Sequence, residues 1–174
     1  MRWMELIDDH RVFLVRVMPD VWVEIEQGAL KSVDLLRPGL TERRPVFQSG
    51  DVLLLYRPQL PVPGSPPAEL SHVTSVRAEL SNDAGYDLGP LLRMQPSVGR
   101  DRLLFAAQRG SLPEVFRRAD ERTFTLVLLA SDQRDQFLEY VLNVGIALLV
   151  EQGKGGGGKA PPPGENPGIV EFEW

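Results

Sequence analysis

The stretch PQLPVPGSPP, residues 58–67, puts five prolines into ten positions. Proline has no backbone N–H to donate and a fixed φ, so this segment is neither helix interior nor central strand. Both flanks are apolar and β-branched or aromatic. DVLLLYR (51–57) reads as a strand buried on both faces, and LSHVTSVRAEL (70–80) reads as the next strand. The chain therefore leaves one strand, crosses a proline-rich loop and returns as another, which constrains the fold toward strands joined by loops.

The remaining segments fit around this pair. HRVFLVRVM (10–18) predicts a strand. Pro19 suits the first turn of a helix and Asp20 its positive end, with Val21, Trp22, Ile25 and Ala29 at helical spacing and Gly28 weakening the end. LLRPGLTERRPVFQSGD (35–51) reads as a long loop and SNDAGYDLGP (81–90) as turn-rich. Within 91–108 a strand is predicted at 102–107 and a short one at 91–95. SLPE (111–114) predicts a capping box, with Ser111 and Glu114 reciprocally bonded, opening a short helix LPEVFRRADE. TFTLVLLA (123–130) reads as a central strand. Ser131 is expected to cap a helix running to about residue 152, with Phe137/Leu138, Val141/Leu142, Val144/Gly145 and Leu148/Leu149 at 3.6-residue periodicity.

After Gln152 the composition changes abruptly to Gly, Pro and Lys. Gly153–Lys159 fits G-x-x-x-x-G-K, the spacing of a phosphate-binding loop, but that loop needs a preceding strand, a following helix and a Ser or Thr after the Lys. Here an amphipathic helix precedes, Ala160 occupies the hydroxyl position and three prolines follow. The segment is expected to be a flexible linker over 153–167 with no nucleotide cofactor. GIVEFEW (168–174) alternates and reads as a C-terminal strand on that tether.

The chain has 174 residues, enough for one well-buried domain, here expected over 1–152. It has no cysteine, which removes disulfides, thiolate metal sites and a thiol nucleophile and fits a reducing cytoplasm. MRWMELIDDH lacks the apolar stretch of a signal peptide, and no apolar run is long enough to span a membrane. Net charge is −5, so nucleic-acid binding would need a local basic face.

Catalytic and metal signatures are missing. His10 and His72 are the two histidines, too few for a histidine metal cluster, and Asp8-Asp9-His10 reads as a solvated turn. Asp132, Asp135 and Glu139 read as a solvated helix face. No nucleophile-elbow, zinc-protease or Ser/Lys motif occurs, so neither enzyme activity nor a metal is expected.

What remains is arginine and aromatic. The chain carries 16 Arg against 3 Lys, an excess that a GC-rich coding sequence also produces. Arg37, Arg43 and Arg44 cluster in one predicted loop, and Arg93, Arg100, Arg102 and Arg109 in another. Trp22, Tyr56 and Tyr86 fall near predicted element ends. Arginine loops beside aromatic faces suit an unpaired base, with phosphate contacts from the first and stacking from the second. Plainer roles stand beside these: Trp22 as core on its helix stripe, His72 as a structural histidine within a strand.

The succession of a first strand, MPDVW opening a helix, SGDVLLLYR, then LSHVTSVRAEL resembles the front half of the EVE branch of the PUA-like superfamily, over about residues 11–80. The resemblance implies a small mixed β-barrel flanked by helices. It also implies a pocket for a nucleobase, often a modified one flipped from a duplex, as in the related YTH and modification-dependent restriction readers. By position it places Trp22, Tyr56 and His72 near that pocket. The proline-rich loop 58–67 departs from the family as an insertion.

The expected fold is thus α+β, a largely antiparallel, barrel-like sheet with about three helices. The expected function is a non-enzymatic nucleic-acid recognition module, a reader of a modified or flipped base, in a bacterial cytoplasmic system. Its base pocket would hold Trp22, Tyr56 and His72, and Arg37, Arg43, Arg44, Arg100 and Arg102 would contact the backbone. The alternative is a protein-interaction or regulatory module.

Overall fold

The computed structural model describes residues 3–26, 32–33, 47–79, 86–121 and 126–155. In chain order these form α1 (Trp3–Ile7), β1 (Val12–Arg16), α2 (Pro19–Glu26), β2 (Ser32–Val33), β3 (Val52–Arg57), β4 (Glu69–Glu79), β5 (Tyr86–Leu88) and β6 (Leu92–Gly99). Then come α3 (Arg100–Gln108), a 3-10 helix (Glu114–Asp120), β7 (Leu126–Leu128) and α4 (Ser131–Gly155). The class is mixed α+β. Among the described residues there are four α-helices and a 3-10 helix where about three helices were expected.

The strands form one sheet in the order β2-β5-β4-β3-β1-β7, with β6 also pairing β4. All pairings are antiparallel except β1 with β3, which run parallel from Val12↔Val52 to Arg16↔Tyr56. The proline-rich loop joins β3 to β4, which pair antiparallel. β4 is 11 residues long, and its far edge is shared: Glu69–Val73 pairs β6 and Val76–Glu79 pairs β5. Among the described pairings the sheet does not close on itself, so it is open rather than a complete barrel.

The core lies on both sides of this sheet. On one side Tyr56, Leu54 and Val52 pack with Met94, Leu103, Phe116 and Phe137 from β6, α3, the 3-10 helix and α4. On the other, Leu53 and Leu55 pack with Trp22 and Val21 of α2 and with Phe13, Val15 and Phe47. Two-sided burial explains why β3 is apolar at consecutive rather than alternate positions.

Several sequence expectations are corrected. Residues 102–107 are helix, not strand: Leu103, Ala106 and Ala107 turn inward at i, i+3, i+4, and the run contains no β-branched residue. The second strand of this region is longer than 91–95 and runs through Pro96, tolerated because residues 94–97 skip the register with β4 between Arg93↔His72 and Val98↔Leu70, so no ladder bond is asked of it. Ser111 does not cap the next helix. That helix is 3-10, starts after Pro113 and has no side-chain cap, while the Ser111 and Leu112 N–H groups bond back to the Ala106 carbonyl. The segment at 123–130 is described over β7, which pairs only β1 among the described strands and carries a half-exposed Leu128, so it lies at a sheet end.

Ser131 is the first residue of α4 rather than its cap. Ala130 holds that place, its carbonyl accepting from the Arg134 N–H and its N–H donating to Gln133 Oε1 at 3.0 Å, the back-reaching half of a capping box. α4 continues to Gly155, past the boundary expected at 152, so the first glycines of the linker form the end of a helix. Residues 156–174, including the rest of the linker and GIVEFEW, lie outside the described residues. Among the described residues no helix is long and apolar enough to cross a membrane.

Candidate functional site

β3 and β4 set the geometry. Their register runs Arg57↔Glu69, Tyr56↔Leu70, then Leu55↔His72, so Ser71 is an extra residue in β4, a β-bulge. Residues three apart in a strand ordinarily point to opposite faces. The bulge resets the alternation, and Glu69 and His72 both come to the face carrying Leu55 and Arg57. This is the face on which α2 lies.

There the His72 imidazole meets the Trp22 indole, ring centroids 5.2 Å apart and planes at 53°. Trp22 is buried, only 2% exposed, and its indole N–H donates to Glu26 Oε1 at 2.8 Å. His72 is partly exposed. Its Nδ1 lies 2.7 Å from the buried Ser71 hydroxyl, so one ring nitrogen is engaged by the bulge residue itself. Among the described residues Nε2 has no hydrogen-bond partner. Burial lowers the His72 pKa, and the Arg93 cation lowers it further against the opposing pull of Glu69. The ring is therefore held neutral at pH 7.

Beside it lies a charged cluster. Glu69 Oε1 takes Arg57 Nη2 at 3.2 Å and Arg93 Nη2 at 3.6 Å, while Ser97 Oγ donates to Oε2 at 2.8 Å. Arg57 is buried and also donates to the Pro67 carbonyl at 2.7 Å, which ties the end of the proline-rich loop to β3. Burying Arg57 is tolerable only because it is paired and bonded in this way. Arg93 differs: its side chain is 60% exposed, so its ion pair adds little stability but holds the guanidinium beside His72, its cross-strand partner.

Tyr56 does not share this face. It points into the opposite core, where its hydroxyl donates to Asp120 Oδ1 at 3.0 Å. Burial, then the Asp120 charge, raises its pKa strongly. Arg100 closes on the same carboxylate through Nε at 2.7 Å and Nη2 at 2.8 Å, which holds its proton more firmly. Arg16 adds a bond to the neighbouring Ala119 carbonyl. The three-residue pocket expected from sequence is thus divided: Trp22 and His72 meet, and Tyr56 serves a structural hub on the far side.

The backbone-contacting arginines are divided too. Arg100 is committed to Asp120. Arg102 is exposed on α3, near enough to Tyr140 to oppose the rise that burial causes in that phenol's pKa. Arg37, Arg43 and Arg44 lie outside the described residues.

Two clefts lie away from Trp22 and His72. One, about 770 Å³, is lined by Leu104, Glu114, Val115, Arg117, Arg118, Asp120 and Glu121. The other, about 520 Å³, lies along α4 beside Gly110, Tyr140 and Asn143. Among the described residues no group of acidic, histidine or cysteine side chains is placed to hold a metal.

Sequence reasoning missed Arg57 and Glu69. Their signal was opposite charges at the two ends of a loop joining antiparallel strands, where cross-strand pairing is expected. Comparison with protein-family models finds no match for this chain, and comparison with curated proteins finds none either.

Proposed function

We propose that this chain is a non-enzymatic nucleic-acid recognition module of PUA-like kind, working in a bacterial cytoplasm, with its sheet curling toward a barrel and the Trp22–His72 face as its base-contacting side. The observation that carries the reading is the meeting of Trp22 with a neutral, partly exposed His72 beside an exposed, Glu69-anchored Arg93. On this reading His72 and Arg93 present the planar surfaces on which an unpaired base stacks. Nε2 of His72 offers a donor or an acceptor to the base edge, according to the tautomer Ser71 selects. Trp22, too buried to stack on a base itself, braces His72 from behind.

A binding screen tests this, using single- and double-stranded DNA and RNA with and without base modification at low salt. His72→Ala should reduce discrimination between bases by about 1–3 kcal/mol. Arg93→Ala should weaken binding evenly and lower the salt slope by about one. Absence of binding to every probe refutes the reading. The alternative, a protein-interaction module, is favoured by one feature, the apolar outer side of α4.

A further inference from the structure

A neutral imidazole has one donor and one acceptor nitrogen, and the two roles exchange with the tautomer. At His72 the deciding neighbour is Ser71. Ser71 is 0% exposed, and among the described residues its Oγ meets a single partner, His72 Nδ1 at 2.7 Å. If Nδ1 carried the proton, Oγ would accept it, and the buried hydroxyl would have nowhere to donate its own. With Ser71 donating to Nδ1, both groups are satisfied and the ring proton sits on Nε2. Among the described residues no buried side-chain nitrogen or oxygen lacks a partner, so Nε2, which has none, opens to solvent.

The charged groups that act on His72 are Arg93, Glu69, Arg57 and Glu26. Arg93 stands directly across from His72 in the register of β4 with β6, so the two side chains leave the sheet on the same face. Its Nη2 reaches Glu69 at 3.6 Å, and its other N–H groups meet no acceptor among the described residues. Glu69 gives Oε1 to Arg57 and Arg93 and Oε2 to Ser97, and Arg57 is also held by the Pro67 carbonyl. Glu26 gives Oε1 to the Trp22 indole and is the weakest of the four charges at His72. Two donors are therefore left to meet a ligand beside the imidazole, Nε2–H and the Arg93 guanidinium.

We propose that Ser71 fixes His72 in the Nε2–H tautomer, and that Nε2–H and Arg93 together select a base edge with two neighbouring acceptors. The choice of base rests on the base-contacting reading above; the tautomer does not. Guanine presents O6 and N7 side by side, and cytosine O2 and N3. Adenine and thymine place an N–H group between their acceptors, which would confront one of the two donors. Ser71 is a positioning residue, and His72 and Arg93 make the contacts.

Nitrogen-15 NMR reads the tautomer in the full chain at pH 7, with His10→Gln to leave His72 as the one histidine. Nε2 should be protonated and Nδ1 bare, and Ser71→Ala should shift the Nδ1 signal. A proton on Nδ1 overturns the proposal. Binding is read at low salt on DNA and RNA duplexes carrying one unpaired guanine, cytosine, adenine, or thymine or uracil. Guanine and cytosine probes should bind about tenfold more tightly than the others, the worth of about one hydrogen bond. The double variant Ser71→Ala/His72→Phe keeps a ring for stacking, removes Nε2–H and leaves no buried hydroxyl unpaired; it should lose that preference. Equal binding of all probes, or a preference that survives in the double variant, overturns the acceptor edge even when Nε2 is protonated. Binding to no probe refutes the base-contacting reading and the edge with it, whereas the spectrum needs no nucleic acid.

Discussion

Replacing Tyr56 by Phe removes one oxygen from the hub that ties β1, β3, α3 and the 3-10 helix together. Tyr56 is fully buried and its hydroxyl donates to a carboxylate, so the bond belongs to the charge-assisted class worth about 1.5–3 kcal/mol. The lower end applies, for two reasons. Asp120 Oδ1 keeps its bond from Arg100 Nε, so no buried acceptor is orphaned. The Arg100 side chain is also 47% exposed, so solvent screens the remaining pair. The expected loss is about 1.5 kcal/mol, read as a lower urea midpoint at unchanged m. Asp120→Asn should cost more, about 2–3 kcal/mol, because the new amide N–H₂ confronts the Arg100 donors. The two changes should be non-additive by at least about 0.5 kcal/mol. The hub also fixes an alkaline limb. Burial and Asp120 raise the folded Tyr56 pKa, so its contribution is complete below the unfolded value near pH 10 and is lost as pH rises through the folded value. Tyr56→Phe should flatten that decline. A Tyr56→Phe protein within about 0.5 kcal/mol of the parent, or strict additivity with Asp120→Asn, refutes the argument.

Three further outcomes are expected. The folded state lowers the His72 pKa, so the unfolded chain takes up a proton first as pH falls below ~6.5; stability should drop there, and His72→Gln should remove that step in urea titrations at pH 7 and 5. Phe116, fully buried and stacked on Phe137 at 5.1 Å, should cost about 3–5 kcal/mol as Ala by chemical denaturation, and a loss under 1 kcal/mol would contradict the packing. Gly50 adopts φ +95° in the turn entering β3, and an added Cβ would lie 3.4 Å from His10 Cδ2. Gly50→Ala should therefore lose about 1–2 kcal/mol, seen as a lower melting temperature.

The sequence made the β1–α2 opening and the β3–loop–β4 pair legible because prolines and β-branched runs leave few alternatives there. It failed where one apolar pattern serves two structures. RLLFAAQ has five consecutive apolar residues, too short a run for periodicity to separate strand from helix, and the inward turn of Leu103, Ala106 and Ala107 decides it. α1 is five residues long, below the length at which a helical pattern declares itself. At the candidate site, Trp22 and His72 were each visible, but their meeting depends on the bulge at Ser71, which residue identity does not announce. The family resemblance sets Tyr56 beside them, and β3, apolar throughout, gives no sign of which face each side chain takes.

The position of β1 between β3 and β7 has a consequence for synthesis. Its first partner is complete at Arg57, but its second, Leu126–Leu128, is not translated until most of the chain has been made. At roughly 5–20 residues per second, one side of VFLVR stays without its neighbour for about 5–20 s after it leaves the ribosome. During that interval its N–H and C=O groups are open to any other nascent strand. Chains stalled before residue 126 should therefore aggregate through this strand, and an excess of soluble β7 peptide supplied in trans should suppress it.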